Sequence, residues 1–372
     1  MRSAMRPLRA LIGAVFLVAC SSGDATSPTS PPPPPPANTP PPVTTPPDDA
    51  TQQAKAVQDM HDILLADVDA LAAAAVEMQN AAPMPAGRGW DKSDEPAIAA
   101  MRAAWLKART AYEHIEGALA PLFPDIDMAI DARYDDFLAD LTAQGGDKYL
   151  FDDKGVTGMH AVERVLFSET TPARVVEFER ALPGYVAATY PATQQEAADF
   201  KAKLCAKLVA DTKKLVGEWT PAKIDVRIAY SGLVSLVAEQ REKVQKAATG
   251  EEESRYAQRT MNDIRDNLEG TKRVYAVFQP WLMSKPSPSA DIDKAVLAGL
   301  ASLDAAYKAV SGDAVPEPPA TWSAENPSAA DLQTPFGKLY AAVLAQSDAT
   351  KKDSVVAKLD QAGTLLGFPA QN

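Results

Sequence analysis

The chain has 372 residues, of which 49 are acidic and 37 are lysine or arginine, so its formal net charge is −12. This excess of negative charge argues against nucleic acid and other polyanions as partners, because like charges repel. It favours cations instead.

The first 19 residues predict a bacterial lipoprotein signal peptide. Three arginines form a basic start, and residues 10–19 are an apolar run too short to span a bilayer as a helix. Residues 17–20 read as a lipobox, so the mature chain would begin at a lipidated Cys20. Serine at position 21, in place of aspartate, favours sorting to the outer membrane. A soluble periplasmic protein with an accidental cysteine is the alternative.

Residues 20–49 predict a tether. The stretch 21–49 contains 12 prolines, six of them consecutive at 31–36. Such a sequence lacks the apolar side chains of a core and favours extended polyproline II, so it is a semi-rigid spacer. A ligand for a proline-binding domain is the alternative. Roughly 320 residues follow, enough for one large domain or two moderate ones.

From Asp49 onward, apolar residues recur at intervals of three and four among strong helix formers. This pattern predicts helices almost everywhere, and no β-alternation is evident. The predicted fold class is all-α, with about ten helices in two antiparallel bundles over residues 50–218 and 219–372. The first helix is predicted to end before Pro83, the second to start near Ser93, and a third to carry His160. The later helices are predicted at about 172–190, 193–218, 221–248, 251–280, 291–310, 330–346 and 352–366.

The segment GVTGMHAVERVLF, residues 155–167, holds one of only three histidines. Glu163 follows His160 by three positions, so the two side chains share a helix face and can converge on one point. An imidazole beside a carboxylate is a common start for a transition-metal site. Thr157 is a plausible N-cap for this helix. The alternative is a solvated or salt-bridged helix face.

Acidic residues at helical spacing occur in two further places. Glu113 and Glu116, in YEHIE, repeat the i, i+3 spacing. Asp127, Asp131 and Asp135 are spaced i, i+4, i+8 and would form one stripe. Like charges at i, i+4 repel by a few tenths of a kcal/mol per pair. The stripe is therefore predicted to face water or a cation.

Facing helices of a bundle can hold a metal ion when they supply carboxylates and histidines at i, i+3. Mixed oxygen and imidazole ligands suit iron, manganese or zinc better than copper(I), which prefers sulfur. The sequence therefore predicts a metal site in which an aspartate completes the two i, i+3 pairs. The candidate ligands are His160, Glu163, Glu113, Glu116, Asp131 and Asp135.

A zinc-peptidase motif is absent from this segment. The H-E-x-x-H pattern places two histidines on zinc and a glutamate on the attacking water. Here Ala161 follows His160, and Arg164 stands where either that motif or the inverted H-x-x-E-H needs histidine. Proteolysis is therefore disfavoured.

Three stretches resemble the imelysin family. TGMHAVERVLF resembles its GxHxxE motif, YEHIE followed by IDARYDD is similar to a second conserved stretch, and residues 249–275 are similar to a region of EfeO-type iron-uptake proteins. The resemblance covers about Asp49–Trp281, with the three motifs in the family's order. Phe167 departs from it, since related sequences have tryptophan there, and so does TMNDIRDN at 260–267, where they are rich in aromatic residues.

The resemblance implies a periplasm-facing or lipid-anchored protein of two helical bundles. EfeO-type members bind iron for transfer to an inner-membrane permease, and their HxxE residues are the proposed ligands. An outer-membrane anchor suits delivery to such a permease poorly, which leaves a surface receptor role open. Carried over, the ligands are His160 and Glu163, then Glu113 and Glu116, and less closely Asp131 and Asp135.

Three functions follow as hypotheses. The first is a lipid-anchored protein that binds iron, ferrous or ferric, for uptake without catalysis, with zinc or another divalent cation as the alternative metal. A membrane iron permease or another uptake component would be its partner. The second is a metallopeptidase, as the family's historical name suggests. The third is a helical module that binds a protein or peptide and keeps a vestigial metal site.

Overall fold

Helices account for all the regular structure in the computed structural model, which describes residues 48–368. No strand occurs within that range, so the predicted all-α class is confirmed. The predicted signal peptide over 1–19, lipidation at Cys20 and nearly all of the tether over 20–49 lie outside the described residues. The α-helices are α1 Asp49–Ala81, α2 Glu95–Leu122, α3 Pro124–Asp131, α4 Leu138–Gln144, α5 Met159–Leu166, α6 Ala173–Arg180, α7 Gln194–Asp199, α8 Cys205–Glu218, α9 Val226–Lys246, α10 Thr260–Met283, α11 Ser289–Lys308, α12 Pro335–Ser347 and α13 Val355–Leu366.

The first helix begins with a polar cap and buries one apolar stripe. Asp48 accepts a hydrogen bond from the backbone N–H of Thr51 at 2.8 Å, which satisfies a donor that the helix leaves free. Leu64, Val68 and Leu71 lie on one face and are fully buried. Helix α1 packs mainly on α2 and α8, so this stripe anchors α2 in the core.

Helix α2 is held very close to two later helices. A Cβ on Gly232 of α9 would lie 2.0 Å from the carbonyl oxygen of Gly117, and a Cβ on Gly270 of α10 would lie 2.3 Å from that of His114. Glycine at these two positions lets the backbones touch. Charged side chains on the adjoining turns of α2 are consequently buried between α9 and α10.

The two predicted bundles, residues 50–218 and 219–372, are joined along α2. This helix of the first half packs against both α9 and α10 of the second half. All described residues belong to one compact unit. The status of the two halves as separate domains stays a prediction.

Two predicted helices lose nine or more residues at one end. The helix predicted at 172–190 ends at Arg180, because Pro183 cannot continue the backbone hydrogen-bond ladder and Gly184 has a φ of +72°. The helix predicted at 251–280 begins only at Thr260. The preceding residues 250–259, called here the 250–259 segment, are irregular, with Gln258 at a φ of +55°.

The predicted aspartate stripe is also interrupted. Helix α3 ends at Asp131, and Ala132 takes an extended conformation with ψ at 135°. Asp135 then lies in a short 3-10 turn over Tyr134–Phe137. The expectation that Asp127, Asp131 and Asp135 share one helix face is therefore wrong for Asp135.

None of the described helices combines the length and the apolar composition that crossing a membrane requires.

Candidate metal site

The first turn of α5 lies against the end of α3. Gly158 precedes α5 as its N-cap, in place of the predicted Thr157, with a φ of +90°. A Cβ at Gly158 would lie 2.7 Å from the carbonyl oxygen of Ile130. Glycine alone suits both the conformation and the close approach. This contact places His160 beside Asp131, the last residue of α3.

His160 is buried, with one ring nitrogen in a short hydrogen bond and the other in a longer contact. Its side chain is 1% exposed, and Nδ1 lies 2.7 Å from Oε2 of Glu163. Nε2 lies 3.3 Å from Oδ1 of Asp131 but has no well-aligned hydrogen bond. A buried polar atom left without a hydrogen bond is rare and calls for an explanation. A cation bound at Nε2 supplies one.

His160 belongs to a group of three possible metal ligands from separate parts of the chain. Asp131, His160 and Glu253 each offer one ligand atom, and the three atoms lie within 4.8 Å of one another. A zinc ion bonds nitrogen and oxygen at about 2.0–2.2 Å, so one ion of that size needs only small shifts to reach all three. Within the described residues this is the one group of three or more such side chains.

Charges around His160 raise its pKa to about 9. Burial is the largest single influence and acts in the other direction, but Asp131 and Glu163 outweigh it. Burial raises the pKa of Glu253, yet Lys243 and other nearby cations hold that pKa well below its usual range. At neutral pH the group therefore consists of ionised carboxylates around an imidazolium. A cation that binds His160 must displace a proton.

Arg109 of α2 lies among the same carboxylates. Its side chain is 2% exposed and forms close ion pairs with Glu113 and Asp131. Oxygens of Glu253 and Asp263 lie 3.4 Å from its guanidinium nitrogens. Buried carboxylates are stable only when paired, so Arg109 is the resident counter-charge of the site.

The predicted pair Glu113 and Glu116 is occupied by protein cations and an amide. Glu113 binds Arg109 and accepts a hydrogen bond from Asn267 Nδ2. Glu116 accepts hydrogen bonds from Lys243 Nζ at 3.0 Å and from Asn267 Nδ2 at 2.7 Å. The structure brings both glutamates near the site but places neither in the group of three.

Glu163 also lies outside the group of three. Its Oε2 faces His160, while its Oε1 accepts hydrogen bonds from the backbone N–H of Tyr256 at 3.1 Å and of Ala257 at 2.8 Å. Both oxygens of this buried carboxylate are therefore engaged by the protein. Asp135 is likewise separate, because it pairs with Arg255 at 2.8 Å.

Sequence reasoning missed Glu253 and Arg109. Glu253 lies in the stretch that resembles EfeO-type proteins, and this resemblance is the only sign in the sequence that the residue could belong to the site. The three consecutive glutamates there predict the first turn of a helix instead. Arg109 precedes Glu113 by four residues, a spacing that predicts an ion pair. Neither signal indicates contact with His160.

A cleft of about 320 Å³ reaches Asp131 and Glu253. A single water needs only about 10–15 Å³ of such space, so a hydrated cation fits within it. Burial and the neighbouring Asp131 raise the pKa of Asp127, on the cleft wall, to about 7. Acidic residues outnumber basic ones along the cleft, and the resulting negative potential attracts cations. The acidic lining residues are Glu116, Asp127, Asp131, Asp136, Glu239, Glu242 and Glu253, and the basic ones are Arg133, Lys243 and Lys246.

Comparison with known proteins agrees with the resemblance found in the sequence. A family model described as Imelysin, and labelled a peptidase family, matches residues 55–359. The iron uptake system component EfeM of Pseudomonas syringae is 25% identical over 198 residues, 53% of this chain and 55% of the relative. The iron uptake system component EfeO of Escherichia coli is 26% identical over 211 residues, 56% of this chain and 42% of the relative. The chain thus spans about half the length of the curated relatives it matches.

A solved structure shares the fold. The crystal structure of an imelysin-like protein from Psychrobacter arcticum superposes with a TM-score of 0.56 over 87% of this chain and 98% of the other. Sequence identity is 13%, so the match concerns the helical architecture alone.

Proposed function

The chain belongs to the imelysin family, and from that premise we propose that it binds a metal cation through Asp131, His160 and Glu253 and serves iron uptake without catalysis. The observation that carries this proposal is that Nε2 of buried His160 makes no well-aligned hydrogen bond, while His160 forms one group with the carboxylates of Asp131 and Glu253 from other parts of the chain. The iron-uptake roles in the names of EfeM and EfeO support iron as the cation.

The ligand chemistry agrees with that cargo. One imidazole and two carboxylates form a nitrogen–oxygen set that suits iron, manganese and zinc. Three protein ligands leave further coordination positions for water from the cleft. Such open positions suit a protein that must release its ion to a partner. We propose that this partner is a membrane iron permease or another uptake component.

Peptidase activity is the second candidate, because the family carries a peptidase label. An open metal position would also serve hydrolysis, but a general base must then stand within reach of the attacking water. Glu163 is the acid nearest to His160 in sequence, and both of its oxygens already accept hydrogen bonds. This arrangement favours binding over hydrolysis.

We expect Glu253→Gln to weaken cation binding by more than about 100-fold, because even outer-shell partners of a metal site are typically worth 10–100-fold. The measurement is calorimetric titration of the purified, unlipidated full chain with Mn²⁺, Zn²⁺ and, without oxygen, Fe²⁺. Glu251→Gln is the matched control. Glu251 lies two residues from Glu253, and its carboxylate accepts a hydrogen bond from the hydroxyl of exposed Thr249. Equal affinity in Glu253→Gln and wild type would remove Glu253 from the site. Chelator-sensitive cleavage of an unfolded substrate would favour the peptidase.

We further propose that the protein is anchored to the outer membrane through Cys20, which lies outside the described residues together with the signal peptide and most of the tether. The lipobox at residues 17–20 supports this anchor. In a Gram-negative host, wild type is expected in the outer-membrane fraction, whereas Cys20→Ser should appear among soluble periplasmic proteins because no thiol remains to be acylated. Wild type in the soluble fraction would contradict the anchor.

A further inference from the structure

Glu163 has the hydrogen bonds of a positioning residue. Its carboxylate is fully buried, and each oxygen faces a different structural element. Oε2 lies 2.7 Å from Nδ1 of His160 on the same helix. Oε1 accepts from two consecutive backbone N–H groups, those of Tyr256 and Ala257, at 3.1 and 2.8 Å.

The contact with His160 decides which ring nitrogen can bind a cation. The oxygens of a carboxylate accept hydrogen bonds, so the contact with Glu163 favours the ring hydrogen on Nδ1. Once the ring is neutral, its lone pair is then on Nε2, the nitrogen that lies 3.3 Å from Oδ1 of Asp131, a member of the group of three. Metal-binding histidines commonly have their other nitrogen fixed by a carboxylate in this way.

The contact with the 250–259 segment holds the third ligand. Tyr256 and Ala257 follow Glu253 by three and four residues in a stretch that no helix or sheet supports. Ser254 adds a hydrogen bond from Oγ to Asp263 at 2.6 Å. Glu163 is therefore the point at which α5, the segment and two of the three ligands are joined.

We infer that Glu163 positions His160 and Glu253 and is not itself a metal ligand. This inference rests on the proposed function for its metal, but its geometry can be tested without one. It assigns the two residues of the H-x-x-E pair different tasks: His160 binds the cation through Nε2, and Glu163 sets the tautomer of His160 and the place of the 250–259 segment.

The isosteric variant Glu163→Gln separates the two roles. The N–H groups of Tyr256 and Ala257 require an oxygen opposite them, so the amide oxygen of glutamine must take that side. Its NH₂ group then faces Nδ1 of His160 and donates to it. The imidazole is forced to carry its hydrogen on Nε2, which directs an N–H at the cation position.

The first measurement is ¹⁵N NMR of histidine-labelled, metal-free full-length protein. With the ring neutral, we expect Nδ1 of His160 to carry the hydrogen in wild type and in the control Glu169→Gln, whose side chain is exposed on the turn after α5. In Glu163→Gln we expect Nδ1 to be unprotonated. The same Nδ1 protonation in Glu163→Gln and wild type would overturn the inference. This result does not depend on metal binding.

The second measurement uses Co²⁺ and Zn²⁺. Glu163→Gln is expected to weaken Co²⁺ binding 10–100-fold, because the glutamine amide must turn its oxygen toward Nδ1–H before Nε2 can bind the cation. The visible spectrum of the saturated complex should then stay that of wild type, because the set of ligands is unchanged. A changed spectrum at saturation would make Glu163 a ligand and overturn the inference.

In wild type loaded with Zn²⁺, ¹⁵N shifts should place the metal on Nε2 with Nδ1–H retained. Metal on Nδ1 would also overturn the inference. Failure of wild type to bind either ion would contradict the proposed function alone.

Discussion

Cation affinity is expected to fall about tenfold for each pH unit below about 9, because His160 must lose a proton before it can bind a metal. The pKa of His160 is raised, so its proton competes with the cation at all lower pH values. Asp131 does not add to this dependence near neutrality: burial raises its pKa, but Arg109 and His160 bring it below the ordinary value. Between pH 8 and pH 6 the loss is about 100-fold, or about 2.7 kcal/mol.

The measurement is calorimetry with Mn²⁺ at pH 6, 7 and 8, in pairs of buffers that differ in ionisation enthalpy. At pH 7 wild type should release about one proton for each cation bound. His160→Gln should lose both the binding and the proton release. His114→Gln is the matched control, since His114 pairs with Asp67 at 2.9 Å outside the group of three. An affinity that is the same at pH 6 and pH 8 would contradict the role of His160.

The helices were predictable because their apolar spacing repeats within a few turns of one chain segment. The apolar stripe of α1 needs only local sequence to be recognised, and the structure begins the helix at Asp49 as predicted. The 250–259 segment shows the limit of this reasoning. Its glutamates are good helix formers. The segment is nevertheless irregular, because Glu163 binds its backbone N–H groups and Ser254 binds Asp263.

The candidate site was predictable in part for the same reason. The i, i+3 spacing correctly placed His160 beside Glu163, since one helix turn determines that contact. Glu253 reaches the group from a segment about ninety positions later, and no periodicity in sequence encodes such a contact. The number of carboxylates was also misleading. Glu113 and Glu116 look like ligands in sequence, but Arg109 and Lys243 neutralise them inside the protein.

Arg109→Met is expected to destabilise the protein by about 3–5 kcal/mol, because removing one partner of a buried ion pair leaves the other charges uncompensated. The guanidinium is 2% exposed and stands among the carboxylates of Glu113, Asp131, Glu253 and Asp263. Methionine fills a similar volume, so the loss is chiefly electrostatic. The measurement is thermal unfolding followed by circular dichroism at pH 7.5 in the presence of a chelator, with an expected decrease in Tm of roughly 10 °C.

Lys107→Met on the same helix is the matched control. Lys107 is 63% exposed in its pair with Glu77, and exposed pairs contribute little, so this change should alter the free energy of unfolding by less than about 0.5 kcal/mol. An Arg109→Met protein as stable as wild type would show that the carboxylates of the site need no resident counter-charge.

A cation should partly replace Arg109, and this second effect connects stability to the proposed function. Without the guanidinium, the carboxylates of Asp131 and Glu253 have lost a neutralising neighbour and attract a cation more strongly. A ligand that binds only the folded state raises stability in proportion to the logarithm of its concentration over its dissociation constant. Added Mn²⁺ should therefore raise the Tm of Arg109→Met by more than it raises that of wild type or Lys107→Met. Equal increases in all three proteins would mean that Arg109 and the cation do not share these carboxylates.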